Sequence, residues 1–100
     1  MEDFMRDIFW GEFDTAELCG PNTIKGLAEA EFDRYKDDIE ALTDLVMVIN
    51  HKSWNHHDMG NDDMCSLYAD LYYKYYEQAI EYLEKECRDK DLTYFIRTLD

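Results

Sequence analysis

The sequence predicts an all-α fold, a small helical bundle built on a long antiparallel helical hairpin with short N- and C-terminal helices. Three observations carry this expectation. Two segments, about 28–58 and 63–87, repeat apolar residues at helical spacing. Gly60, Asn61 and Asp62 join them, a connection so short that the two helices can only pack antiparallel. One proline and four glycines in 100 residues leave little chain for linkers. With 46% apolar residues, the chain reads as one domain, 1–100, with a modest core.

Residues 2–10 read as a short helix with Phe4, Ile8 and Met5 on one face, ended by Gly11. The span 11–26 holds Cys19, Gly20, Pro21, Asn22 and Thr23, which are turn residues, so it reads as mostly loop with one helical turn at 15–18. From Leu27 onward helix formers dominate. Ile39, Leu42, Val46, Ile49 and Ser53 follow a 3.6 period, and Leu45 and Val48 widen the stripe. This helix starts at about 28 or 36 and runs to 58. Asp33, Asp37, Asp38, Glu40 and Asp44 occupy its early turns, where carboxylates favour the positive end of the helix dipole. Gly60 suits a left-handed C-terminal cap, and Asn61 or Asp62 can cap the next helix.

The second long helix carries Met64, Leu67, Tyr68, Leu71, Tyr72, Tyr75, Ala79, Tyr82 and Leu83 as its apolar stripe. Lys85 and Arg88 lie at its negative end. A polar break at 88–91 precedes a last helix, 92–99, with Leu92, Phe95, Ile96 and Leu99 inward.

Charge narrows the function classes. Twenty-four Asp and Glu against ten Lys and Arg give −14 at pH 7. Residues 1–50 carry 13 acids and 4 bases, and residues 51–100 carry 11 and 6. Such a chain repels nucleic acid and anionic membrane and is drawn to basic surfaces. Its 15% aromatic content and helical periodicity set it apart from acidic disordered chains. The longest apolar run, 45–49, falls far short of the ~20 residues that span a bilayer. The acidic start MEDFMRDIFW lacks the basic region of a signal peptide, and Cys19, Cys65 and Cys87 are odd in number with no CxxC pair. A cytoplasmic protein with reduced thiols is expected.

Three constellations carry chemistry. The run NHHDMGNDDMC brings His56, His57, Asp58, Asp62, Asp63 and Cys65 into eleven residues. His56, His57, Asp58 and Cys65 are candidate Zn2+ ligands, since folding back at Gly60 brings the two sides together. The adjacent histidines point about 100° apart, and no paired-ligand spacing demands a metal, so a capped hairpin tip accounts for most of the run. DMGNDD also lacks the ligand order of a calcium loop.

The second constellation is Tyr68, Tyr72, Tyr73, Tyr75, Tyr76 and Tyr82 on one helix. Most fall on the core stripe. Tyr73 and Tyr76 lie to its side, beside Asp70, Glu77 and Glu81, a make-up suited to a protein-binding face. Stacking sites for bases also need a basic groove, so this helix does not suit that role. The third is the acidic surface, Asp33, Asp37, Asp38, Glu40, Asp44, Asp62 and Asp63, which can occupy the lysine and arginine clusters that DNA-reading proteins use. No phosphate loop, GxSxG, HExxH or complete nucleophile–base set is present in the sequence, so a non-enzymatic role is expected.

The run LVMVINHKSWNHHDMGNDDMCSLYADLYYKYYEQAIEYLEKE and the ending LTYFIRTLD resemble small acidic proteins carried by phages and mobile elements of low-GC Gram-positive bacteria. The resemblance covers about residues 37–100. Inhibitors of type II RNA-guided CRISPR nucleases come from that source. It implies an inhibitor that blocks a basic nucleic-acid-binding site in a bacterial cytoplasm, and it supplies no functional residues. The partner-binding residues expected from the chain itself are the seven acids above with Tyr73 and Tyr76. The alternatives are a zinc-binding helical accessory protein and a homo-oligomeric module paired through the tyrosine helix.

Overall fold

Two long helices form the frame. In the computed structural model, which describes residues 3–100 with side chains from Met5 onward, α3 (Ile39–Asp58) and α4 (Asp62–Lys85) pack antiparallel along their length. Three shorter helices, α1 (Asp3–Glu17), α2 (Pro21–Tyr35) and α5 (Asp89–Leu99), complete an all-α bundle of 39 × 24 × 21 Å. No helix among the described residues is long and apolar enough to cross a membrane.

The hairpin turn follows from local chemistry. Gly60 adopts φ 76°, a left-handed conformation that costs a residue with a Cβ. Its N–H donates to the His57 carbonyl at 3.0 Å, and Asn61 N–H donates to the His56 carbonyl at 2.8 Å. This double closure satisfies the last carbonyls of α3. Asn61 then caps α4 by accepting from Met64 N–H at 3.4 Å.

The N-terminal third departs from expectation. The expected loop at 11–26 is almost wholly helical: α1 runs through Gly11 to Glu17, and α2 begins at Pro21. Phe9, Phe13 and Ala16, spaced four and three apart, are buried on one face of α1. Burying each phenylalanine is worth about 2–3 kcal/mol, against about 1 kcal/mol for one glycine in a helix, so burial decides. The expected inward face, Met5 and Ile8, is displaced: Met5 only borders the core and Ile8 is exposed, while residue 2 and the Phe4 side chain lie outside the described residues. Pro21 starts α2 at the position where its missing N–H costs nothing.

Of the two expected starts for the first long helix, 36 lies near the observed one: a helix over 28–58 is divided into the end of α2 and α3. Asp38 does not continue α2; it caps α3, its carboxylate accepting from Ala41 N–H at 3.3 Å. Arg88, at the α4–α5 turn, donates to the Lys36 carbonyl at 3.1 Å and so ties this break to the opposite connection. The α3 and α4 stripes are placed as expected: Leu42, Leu45, Val46, Val48 and Ile49 meet Tyr68, Leu71, Tyr75, Ala79 and Leu83 in one core. Phe95 of α5 closes it, flanked by the half-buried Leu92, Ile96 and Leu99.

Candidate functional site

The hairpin tip resolves into structural roles. His56 and His57 diverge. His56 is buried and turns toward α1, its Nε2 3.1 Å from a Glu17 carboxylate oxygen. A carboxylate only accepts, so Nε2 carries the hydrogen. His57 is exposed and stands edge-on to Trp54 at 5.7 Å. Asp58 is exposed at the end of α3, and the Cys65 sulfur lies 3.5 Å from Ser53 Oγ, which donates to the Cys65 carbonyl at 3.0 Å. The four candidate zinc ligands are not brought together, and among the described residues no group of three His, Cys, Asp or Glu side chains is placed to share an ion.

His56 belongs instead to an interior polar network that the sequence did not suggest. One Glu17 oxygen accepts from Tyr68 O–H at 2.6 Å and sits 3.1 Å from Lys52 Nζ. Lys52 is 1% exposed, pairs also with Asp14, and places its ammonium 4.3 Å from the Trp10 ring centroid. Burial pulls the Glu17 carboxyl upward, but hydrogen bonds from Tyr68, His56 and Lys52, with the Lys52 charge, outweigh it and hold Glu17 below the usual carboxylate range. Burial, then the bond to Glu17, pushes the Tyr68 hydroxyl above its ordinary value. The network pins α1 to α3 and α4.

The expected acidic face is divided. Asp62 and Asp63 lie at the start of α4, beside the end of α3, whereas Asp37, Asp38 and Glu40 lie at the start of α3. Twenty residues of helix separate the two groups by about 30 Å. Asp44, expected on the surface, is 6% exposed and accepts from Arg6 Nε at 3.0 Å. It is turned inward because its position on α3 faces α1. Asp38, Glu40 and Asp44 do share a cleft of about 330 Å3, but Arg6 lines it as well. Asp37 accepts from Tyr82 O–H and pairs with Arg88, and Asp33 lines a shallow cleft with Lys36 and Lys85. Much of this acidity is answered from within the chain.

The tyrosine helix offers a different surface. Tyr72, Tyr76 and Ile80 recur every four residues and form one ridge of α4; Tyr73, Glu77 and Glu81 form the next. With Asp100, just past α5, they line a groove of about 440 Å3. Tyr73 is 65% exposed, and Tyr76, expected to be partly exposed, is half-buried with its ring 5.5 Å from Phe95. The rings touch in series: Tyr73 meets Tyr72 edge-on at 5.5 Å, and Tyr72 meets Tyr76 at 5.6 Å. Among the described residues no lysine or arginine lines this groove. Burial, followed by neighbouring Asp100, raises the Tyr76 hydroxyl above its ordinary range; burial and then Tyr76 and Asp100 do the same to Tyr72. Both stay neutral hydrogen-bond donors at physiological pH.

Tyr73 and Tyr76 were legible from the sequence as a side face. Tyr72, Ile80 and Asp100 were not, although the paired fourfold spacing of 72/76/80 and 73/77/81 is a signal that was present. Asp70, read beside the tyrosines, faces the other way, into a cleft with Lys25 and Lys74. No protein-family model matches the chain, and no curated protein or solved structure matches it either.

Proposed function

We propose that the chain is a non-enzymatic inhibitor that docks on a basic nucleic-acid-binding site of another protein, a type II CRISPR nuclease in the first instance, and competes with nucleic acid there. The observation that carries the reading is the groove on α4. It joins an exposed aromatic surface to Glu77, Glu81 and Asp100 with no lining lysine or arginine among the described residues, on a chain of net charge −14. Acidity draws the chain to a basic surface and sets the association rate, while tyrosines supply short-range affinity. Such nucleases hold nucleic acid in positively charged channels, and the likeness of residues 37–100 to small acidic proteins of mobile elements points toward that target.

A pull-down from bacteria expressing a type II CRISPR system, coupled to a DNA-cleavage assay with the purified nuclease, tests this. The reading expects nuclease in the bound fraction and cleavage suppressed by the chain. A nuclease that neither binds the chain nor slows in its presence rejects that target.

A further inference from the structure

We infer that the α4 groove is an arginine-reading site: its occupant is an arginine side chain of a basic protein segment, with the guanidinium laid on the tyrosines and bonded to Glu77 or Glu81. This rests on the proposed docking role and specifies the chemistry recognised. The groove's charge favours a cation: Glu77, Glu81 and Asp100 line it and no lysine or arginine among the described residues does, although Glu81 also borders the cleft with Lys36 and Lys85. Its aromatic geometry selects which cation. Ring centroids 5.5–5.6 Å apart along Tyr73, Tyr72 and Tyr76 leave no gap between the rings for a compact ammonium to enter.

An aromatic cage for a methylated ammonium needs walls spread around the ion. Here the rings lean on one another, Tyr73 edge-on to Tyr72 at 63° and Tyr72 tilted 41° to Tyr76, which leaves the exposed Tyr73 ring as the open stacking surface. A planar, weakly hydrated guanidinium stacks on such a surface, whereas a lysine ammonium keeps its hydration and binds as a point charge. Glu77 and Glu81, one helical turn apart on the same ridge as Tyr73, line the groove with carboxylates that a guanidinium fork can bond. Tyr73, at 65% exposure, gives the incoming side chain open access.

The experiment is a titration of the full chain, followed by amide and aromatic NMR, with capped peptides of one length carrying arginine, lysine, trimethyl-lysine or the neutral isostere citrulline. The expected result is arginine-peptide shifts confined to residues 72–81 and 100, about fivefold tighter binding than the lysine peptide, and no citrulline binding. Tyr73→Ala and the double variant Glu77→Gln/Glu81→Gln each weaken the arginine peptide about tenfold. Their side chains are exposed, so unchanged melting curves keep the comparison valid.

Equal binding of lysine or trimethyl-lysine overturns the assignment, as do shifts elsewhere or none at millimolar peptide. Shifts at 72–81 that depend on protein concentration without peptide, with a dimer by light scattering, give the groove to a second copy and also overturn it. The two levels separate. If these variants still bind and inhibit the nuclease as the wild type does, arginine reading falls and inhibition stands. If the peptide binds as expected but no nuclease does, the target falls and the arginine site stands.

Discussion

Cys87 shows how one backbone angle sets a stability term. It ends α4 at φ 56°, with Arg88 N–H donating to the Leu83 carbonyl at 2.9 Å, the same closure that Gly60 makes after α3. A side chain in this left-handed region costs about 1 kcal/mol, and exposed Cys87 recovers nothing by packing. Cys87→Gly should therefore raise stability by about 0.5–1 kcal/mol in urea unfolding, and Gly60→Ala should lower it by about 1 kcal/mol. Gly11 makes the complementary case. A Cβ there meets nothing within 4 Å and the residue is helical, so Gly11→Ala should stabilise by about 0.5–1 kcal/mol. A loop at 11–26 would show no such gain.

Glu12 gives the fold a pH dependence. Burial, then a hydrogen bond and charge repulsion from Glu31, raises its carboxyl from 4.5 to about 7, with Arg34 opposing. The folded chain thus holds a proton that the unfolded chain releases near 4.5. That contribution is full below 4.5 and is lost as pH rises through 7. Urea midpoints should fall between pH 5 and 8, by on the order of 1 kcal/mol in stability, and Glu12→Gln should flatten this slope and raise stability at pH 8.

At the scale of elements, the buried charges hold α1 in place. Lys52→Met leaves Glu17 without its main cation, and breaking such a pair should cost about 2–4 kcal/mol. Adding Glu17→Gln should restore part of that loss, a coupling that a double-mutant cycle in denaturant reads directly. Helices α3 and α4 were legible because an unbroken 3.6 period, Gly60 and Asn61 all agreed. The start of α1 was read as a helix at 2–10, but its continuation to Glu17 and the start of α2 were hidden because Gly11, Gly20 and Pro21 read locally as turn residues. Whether Phe9 and Phe13 outweigh a glycine depends on a core that only the assembled bundle supplies. Asp38 was visible as an acid, but its use as a cap rather than an early-turn charge depends on where Tyr35 ends α2. His56 and Cys65, which pattern alone offered to a metal, meet Glu17 of α1, through Nε2, and Ser53 of α3, and no sequence spacing encodes those partners.

At the scale of the molecule, net charge was plain in the sequence and its distribution was not. Chain order groups Asp33 to Asp44; the fold gives Arg6, Lys36, Lys85 and Arg88 to that end and carries Asp62 and Asp63 to the other. An acidic groove without a lysine or arginine in its lining, among the described residues, lies on α4, where Tyr73 pointed to it and Glu77, Glu81 and Asp100 complete it. Engagement of a basic site by this surface has a direct signature in salt dependence. Affinity of the purified chain for a type II CRISPR nuclease, measured from about 50 mM to about 300 mM salt, tests it most directly. The wild type should weaken at least about tenfold across that range, and Tyr73→Ala/Glu77→Gln/Glu81→Gln should bind weakly throughout with a flatter slope. Affinity that is insensitive to salt, or a triple variant that binds as the wild type does, contradicts the account.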